Sequence, residues 1–228
     1  MMETAHTPPL GFAALTPLYD RAVRLMTREA SWRTRLIERI APRKGDIVLD
    51  VGSGTGSLAI ALTAAAPGCR VRGVDPDYAA VELARKKAAL AGSSATFEHG
   101  TFSIPATHND GAVDKITCSL VLHQVPLAEK RRLLRAMFVR LRPGGQLFIA
   151  DYGLQPTFVM RLAFRLTVQM LDGKSDTQPN ADGILPPLIA EAGFVGMTLL
   201  DCFDTATGRI DIIRAEKPRG AKSEAQKR

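Results

Sequence analysis

The segment with the clearest chemical potential is a glycine-dense turn between a short apolar strand and a helical pattern. Residues 50–56 read DVGSGTG, and the residues just before them, 47–49, are all aliphatic. Glycine lets the backbone turn sharply and approach a ligand more closely than any Cβ would permit, and the helix start adds free N–H groups. The turn therefore predicts a site for a nucleotide-like ligand.

The spacing of these glycines indicates which kind of nucleotide-like ligand the turn would bind. A dinucleotide fingerprint requires Gly-x-Gly-x-x-Gly, but here Ser57 stands at its sixth position and Gly56 comes one place earlier. Asp50 lies two residues before the first glycine, where a carboxylate suits a cationic amino group and opposes a pyrophosphate. S-adenosylmethionine carries such an ammonium group, so the pattern favours it over a dinucleotide.

A second carboxylate ends the next predicted strand. Asp75 closes the run RVRGVD, roughly 20 residues after the glycines, where an acidic residue can accept both ribose hydroxyls. Gly-rich turns and strand-end aspartates also occur in doubly wound folds without a nucleotide, so each feature alone is weak. Their combination in this order favours an adenosine-bearing cofactor.

From about residue 46 to residue 151 the chain resembles the class I S-adenosylmethionine-dependent methyltransferase family. Residues 50–56 match the family's first motif and 74–76 (VDP) its second, while 141–145 (LRPGG) is typical of its later region. The resemblance implies methyl transfer from S-adenosyl-L-methionine, with S-adenosyl-L-homocysteine as the product. The opening LTPLYD and a lid after the fifth strand look most like the branch with quinone-biosynthesis and phospholipid N-methyltransferases.

The resemblance also implies which residues hold the cofactor. The turn would hold its amino-acid end, Ser119 would lie beneath the methionine group, and Tyr19 would close over the carboxylate. Thr101 replaces the family's usual adenine-contacting Asp and can still accept a bond, with the amide of Phe102 supplying much of the recognition. The expected cofactor residues are Tyr19, Asp50, Gly52, Ser53, Gly54, Gly56, Asp75, Pro76, Thr101, Phe102 and Ser119.

Methyl transfer from a sulfonium is a direct displacement, which needs alignment of the reacting atoms more than it needs a reactive side chain. No metal is predicted, because the His and Cys residues lack metal-ligand spacing. His123 is the best-placed candidate for acid–base catalysis, and Tyr152 could orient a substrate hydroxyl or contact an amine through its ring. Each could equally serve packing or orientation alone.

Short β-branched runs alternate with helical patterns from residue 46 onward. The alternation predicts an α/β fold: a doubly wound, mostly parallel seven-stranded sheet with a C-terminal antiparallel hairpin, N-terminal helices and a helical lid insertion. The expected organisation is an N-terminal helical cap, the cofactor-binding domain with its insertion, and a disordered basic tail. Their bounds are 1–41, 42–217 with the insertion at about 153–192, and 218–228.

Within the insertion, residues 156–172 and 184–192 predict helices, and the polar stretch 173–183 predicts a loop. The first helix is apolar almost all round, apart from a polar stripe formed by Arg161, Arg165 and Gln169. Such a helix must be covered by protein, partner, lipid or an apolar substrate. The pattern favours a small or lipid-like acceptor, with peripheral membrane contact and a dimer interface as alternatives; monomer and homodimer both stay open.

Charge and composition narrow the function further. The net charge of +7 is spread over an N-terminal stretch, one helix and the tail, so no nucleic-acid partner is predicted. Three unpaired cysteines and the lack of an apolar run of about 20 residues favour a cytoplasmic protein. The main alternative to an enzyme is a noncatalytic S-adenosylmethionine-binding module, and a nucleic-acid methyltransferase is a weaker one.

Overall fold

A computed structural model describes residues 27–103 and 113–219 of the chain, which form seven strands and the helices around them. The strands are β1 Ile47–Val51, β2 Arg70–Asp75, β3 Thr96–His99, β4 Val113–Ser119, β5 Leu141–Tyr152, β6 Val195–Thr205 and β7 Gly208–Glu216. The helices are α1 Glu29–Ile40, α2 Ser57–Ala65, α3 Tyr78–Leu90, α4 Leu127–Arg140, α5 Phe158–Leu166, α6 Val168–Asp172, α7 Lys174–Ala181 and α8 Leu185–Glu191. A short 3-10 turn spans Leu122–Gln124.

The seven strands form one sheet in the order β3-β2-β1-β4-β5-β7-β6. Strands β1 to β5 pair in parallel, whereas β7 pairs antiparallel with both β5 and β6. The direction of winding reverses between β1 and β4, and the carboxyl ends of strands at such a switch point leave a crevice for a ligand. The predicted fold class, including the closing hairpin, is confirmed.

The sheet is buried on both faces, which explains why its central strands are nearly continuous apolar runs. One core contains Trp32 of α1 and Leu62 of α2, and it extends to Phe164 of α5. The other contains Met137 of α4 and Leu188 of α8. The two layers hold the strand ends in place at the switch point.

The insertion after β5 differs from the prediction in two segments. The single helix expected at 156–172 is divided at Thr167 into α5 and α6. The expected loop at 173–183 is wrong, because α7 occupies most of it. Thr177 and Asn180 are fully buried in this polar helix, and Asn180 donates a 2.9 Å hydrogen bond to the carbonyl of Tyr152. Packing against the protein thus overrides the weak helix propensity of the sequence KSDTQPNA.

The predicted N-terminal cap and C-terminal tail are described only in part. Helix α1 lies within the predicted N-terminal cap, while residues 1–26 and the tail from 220 onward lie outside the described residues. In the two described ranges, no helix is both long and apolar enough to cross a membrane.

Candidate functional site

A cavity of about 400 Å³ opens at the carboxyl ends of β1, β2 and β4, where the strand order reverses. Four parts of the chain form its walls: helix α1, the glycine turn, the end of β2 and the loop after β4. The lining residues are Glu29, Trp32, Arg33, Gly52, Ser53, Gly54, Thr55, Ser57, Leu58, Asp75, Pro76, Asp77, Ala80, Ser119, Leu120, Val121, Gln124 and Val125. Six of the eleven residues predicted to bind the cofactor line this cavity: Gly52, Ser53, Gly54, Asp75, Pro76 and Ser119.

The glycine turn is held against the end of β2 by backbone hydrogen bonds. The amides of Gly52 and Ser53 donate to the carbonyl of Val74 over 2.9 and 3.2 Å, and the amide of Gly54 donates to Asp75 Oδ2 over 2.7 Å. Gly54 has a φ of +50°, and a Cβ built there would meet nothing within 4 Å. Its backbone therefore faces open cavity space, as a cradle for a closely approaching ligand requires.

Gly56 has a different role from the other two glycines. It precedes α2 with a φ of +76°, and a Cβ at this position would overlap the Phe97 ring and the Ala84 methyl group. Gly56 does not line the cavity. Close packing of the turn against β3 and α3 accounts for this glycine, and its predicted contact with the cofactor stays a prediction.

Asp75 lies at the rim of the cavity beside Pro76, with 8% of its surface exposed. Its Oδ2 accepts from Gly54, and its Oδ1 accepts from the amide of Asp77 over 2.9 Å. Each carboxylate oxygen has a second lone pair. The geometry thus leaves acceptor capacity for ribose hydroxyls, which is the role that the sequence predicts.

Asp50 stands behind the cavity wall instead of in it. Its side chain is buried; Oδ1 accepts a 2.7 Å bond from the Thr117 hydroxyl, and Oδ2 has no hydrogen-bond partner among the described residues. Burial raises the pKa of Asp50 to about 7, against the lowering effects of the Thr117 bond and the Arg33 charge. Its influence on a ligand is consequently that of a nearby charge whose ionisation is poised near neutrality.

Helix α1 supplies a wall that the sequence analysis missed. Trp32 is fully buried, Arg33 forms an ion pair with Glu29, and the Arg33 guanidinium lies 5.3 Å from the Trp32 ring centroid. Trp32 Nε1 and Arg33 Nε are buried without a hydrogen-bond partner among the described residues. Neither Trp32 nor Arg33 is among the predicted cofactor residues, and the Arg beside the sole Trp of the chain is the signal that could have identified them.

The loop after β4 forms the opposite wall. Ser119 lines the cavity together with Leu120, Val121, Gln124 and Val125, and its predicted contact with the cofactor stays a prediction. Leu120 has a φ of +55°, a left-handed conformation that a leucine rarely adopts. Such strain persists where the surrounding structure holds the backbone in one shape, and it concentrates at functional sites.

His123 and Tyr152, the two predicted catalytic residues, lie away from this cavity. His123 is buried; its Nδ1 lies 2.7 Å from Asp151 Oδ1, and its Nε2 lies 3.4 Å from Asp172 Oδ2. The Tyr152 hydroxyl lies 2.6 Å from Thr207 Oγ1, and its ring packs edge-on against His123. Neither side chain lines the cavity, so this geometry gives no support to direct proton transfer by either.

The adenine end of the predicted site is described only in part. Thr101 is exposed, and Phe102 is buried with the Arg140 guanidinium 5.5 Å from its ring centroid. Neither lines the cavity, and the next described residue after Ser103 is Val113. The contacts predicted for Thr101 and Phe102 remain predictions. Tyr19 lies outside the described residues.

The cavity fits S-adenosylmethionine on three observations. The space at Gly54 suits a closely packed ligand, Asp75 retains acceptor capacity, and four buried polar atoms in or beside the cavity wall have no hydrogen-bond partner among the described residues. These atoms are Trp32 Nε1, Arg33 Nε, Asp50 Oδ2 and Ser53 Oγ. Within the described part of the chain, no group of three or more His, Cys, Asp or Glu residues could hold a metal.

Known proteins resemble this chain in both sequence and fold. A family model described as a methyltransferase domain matches residues 48–145. The demethylmenaquinone methyltransferase of Thermus thermophilus is 30% identical over 161 residues, covering 69% of this chain and 71% of its own. A ubiquinone biosynthesis O-methyltransferase of Vibrio parahaemolyticus is 34% identical over 106 residues, covering 46% and 43%. The solved apo structure of the S-adenosylmethionine-dependent methyltransferase SibL has a TM-score of 0.69 at 20% identity, covering 94% of this chain and 64% of that one.

Proposed function

This chain belongs to the class I S-adenosylmethionine-dependent methyltransferases, and from that premise we propose that it methylates a small, apolar, lipid-like acceptor. The observation that carries the proposal is the apolar face of α5. Phe158 is 79% exposed and Leu166 is 59% exposed, although most apolar side chains of the sheet and its covering helices are buried. An exposed apolar surface of this kind needs an apolar occupant.

The names of the relatives support an apolar acceptor. One relative is a demethylmenaquinone methyltransferase, and another is an O-methyltransferase of ubiquinone biosynthesis. Both names refer to quinones, which are apolar ring compounds. We therefore propose a quinol-like compound as the first acceptor to test for this chain.

The cofactor supplies an electrophilic methyl carbon when it is bound. The side chains of this protein have to bind, orient and exclude water. Asp75 holds the ribose, and the turn at 52–54 receives the amino-acid end. Arg33 pairs with the cofactor carboxylate, because its buried Nε lacks a partner among the described residues and its guanidinium offers several donors.

The proposal includes contact with a lipid surface, where an apolar acceptor would be found. Val159, Leu162 and Leu166 are all exposed on α5, and Arg161 and Arg165 are exposed along one edge of this face. Residues 158–171 contain no acidic side chain. An apolar helix face flanked by arginines suits a membrane interface with anionic lipids.

The acceptor class is tested with a panel of quinols, phenols, thiols and phosphatidylethanolamine, incubated with labelled methyl donor. We expect transfer to quinols or phenols, and Asp75→Ala should abolish it. Glu82→Ala, which removes a partly exposed carboxylate of α3 that pairs with Arg85 away from the cavity, serves as the control. Preference for thiols or the amine would contradict the proposed acceptor, while donor binding without transfer to any compound would favour a noncatalytic module.

A further inference from the structure

A single buried carboxylate holds the back of the loop that forms one wall of the cavity. Asp151 is fully buried at the end of β5, where its Oδ2 accepts from the amides of Val121, Leu122 and His123 over 3.1, 2.7 and 3.4 Å. Its Oδ1 bonds to His123 Nδ1. The front of the same loop lines the cavity through Val121 and its neighbours. Movement of Asp151 or His123 would therefore change the shape of the cavity wall.

A buried lysine joins this loop to the insertion. Lys130 of α4 is fully buried, and its ammonium group donates to the carbonyls of Leu122, Val125 and Asp176. The bond to Asp176, in α7, is 2.8 Å long. Because Leu122 and Val125 belong to the loop, one cation contacts both the cavity wall and the insertion.

His123 makes the second connection, from the opposite nitrogen of its ring. Nδ1 faces Asp151, whereas Nε2 faces Asp172 at the end of α6. Both ring nitrogens are donors only in the imidazolium form. Burial alone lowers the pKa of His123, but the Asp151 charge and the bonds to Asp151 and Asp172 outweigh it and raise the pKa to about 9.

We propose that His123 is a positioning residue, whose imidazolium bridges Asp151 and Asp172 and so couples the docking of α6 to the shape of the cofactor-binding loop. The inference uses the methyltransferase assignment and is independent of the acceptor. A histidine in this position need not touch the reacting atoms. It acts by holding the insertion against the loop that contacts the cofactor.

The two contacts of His123 differ in length and in exposure to solvent, so one of them can break while the other remains. The Asp151 contact is 2.7 Å long with Asp151 fully buried, while the Asp172 contact is 3.4 Å long with 19% of the Asp172 side chain exposed. The Asp172 contact is thus the weaker and more hydrated one. We expect it to break first, leaving the loop bound to Asp151 while the insertion moves.

The test uses Asp172→Asn, which removes the charge and keeps the size of the side chain. Asp182→Asn is the matched control, because Asp182 is an exposed carboxylate of the same insertion that accepts a bond from Gln178. S-adenosylhomocysteine is the probe. Hydrogen exchange of residues 168–181 is measured with and without it, and calorimetry gives its affinity.

We expect S-adenosylhomocysteine to slow exchange at 168–181 in the native protein and in Asp182→Asn. In Asp172→Asn this slowing should be lost while the affinity changes by less than about threefold, since Asp151 still holds the loop. Asp172→Glu, which restores a carboxylate, should recover the slowing. Undiminished slowing in Asp172→Asn would overturn the proposal, whereas failure of the native protein to bind the probe would count against the methyltransferase assignment itself.

Titration of the imidazole provides a second readout that general loss of packing would not produce. Asp151 from β5 and Asp172 from α6 face the His123 ring, and the Tyr152 ring packs against it. Lys130 from α4 donates to the His123 carbonyl. Cys118 from β4 interacts with Asp151, and Asp176 from α7 interacts with Lys130. The pKa of His123 should fall in Asp172→Asn and stay unchanged in Asp182→Asn when followed by NMR. An unchanged pKa in Asp172→Asn would show that no such bridge exists in solution.

Discussion

Asp50 is a buried carboxylate whose ionisation a cationic ligand would control. Its pKa is raised to about 7 by burial, so a substantial fraction is protonated at neutral pH before ligand binding. The ammonium group of S-adenosylmethionine favours the ionised form, and binding should therefore release a proton.

The resulting prediction concerns the pH dependence of cofactor affinity. Between about pH 6 and pH 7, affinity for S-adenosylmethionine should increase with pH, because less work is needed to ionise Asp50. Calorimetry across this range measures the slope. Asp50→Asn, which has no proton to release, should flatten it, and an equal slope in the variant would rule Asp50 out as its source.

Arg33 can be tested with a pair of ligands that differ at the amino-acid end. Arg33→Met should weaken S-adenosylhomocysteine binding by about 1.5–3 kcal/mol, the usual contribution of a hydrogen bond to a charged group. Binding of 5′-methylthioadenosine, which lacks the carboxylate, should be unchanged. Equal losses for both ligands in calorimetry would instead indicate that the substitution disturbs the α1 wall.

The residues that the sequence identified differ from those it missed in a physical respect. The glycine turn and Asp75 are adjacent to strand ends, so local chain geometry is enough to bring them to the carboxyl edge of the sheet. Arg33 lines the cavity, and Asp172 contacts His123, only because of the way their helices pack. The orientation of each helix about its own axis depends on contacts between residues far apart in the sequence, which helical periodicity does not reveal.

Within the glycine turn that connects β1 to α2, one glycine lies where a ligand would bind and another lies in the packed protein. Gly54 and Gly56 both have positive φ values, +50° and +76°, so each carries backbone strain on substitution by alanine. Only their surroundings differ: open cavity at Gly54, and the Phe97 ring with Ala84 at Gly56.

This contrast yields a matched pair of substitutions. Gly56→Ala should lower the free energy of unfolding by about 1–3 kcal/mol more than Gly54→Ala, because the added methyl overlaps packed side chains. Gly54→Ala should instead reduce cofactor binding more strongly, since its methyl enters the cavity. Urea unfolding and calorimetry distinguish the two effects, and the reverse ranking would contradict the assigned roles of the two glycines.

Helix α7 shows where local patterning failed. Its sequence is polar and contains Pro179, and both features predict a loop. The helix is stabilised by what it contacts: the Asn180 bond to Tyr152 and the Asp176 carbonyl bond to Lys130. In contrast, all seven strands were predicted, because alternating apolar and helical runs suffice to identify a sheet covered on both faces.

The molecule has a net charge of +7 and also an exposed apolar face on α5. Spread positive charge alone attracts anionic surfaces without specificity. The apolar face would add insertion into the interface, and the acid-free segment 158–171 places two arginines beside that face. The proposed contact with a membrane surface would account for both features.

We therefore expect the full chain to bind phosphatidylcholine vesicles that contain phosphatidylglycerol, and to bind them less at high salt. Leu162→Glu with Leu166→Glu should reduce binding about tenfold or more, because both charges would have to enter the lipid interface. Leu83→Glu with Leu90→Glu, at exposed leucines of α3, should leave binding intact. Two other occupants of the α5 face would give different results. If the native protein is a dimer and the α5 double variant dissociates it, a second copy covers the face. If residues 159–166 are protected from hydrogen exchange and removal of residues 1–26 abolishes that protection, that segment covers the face. Either result without vesicle binding would refute the lipid contact.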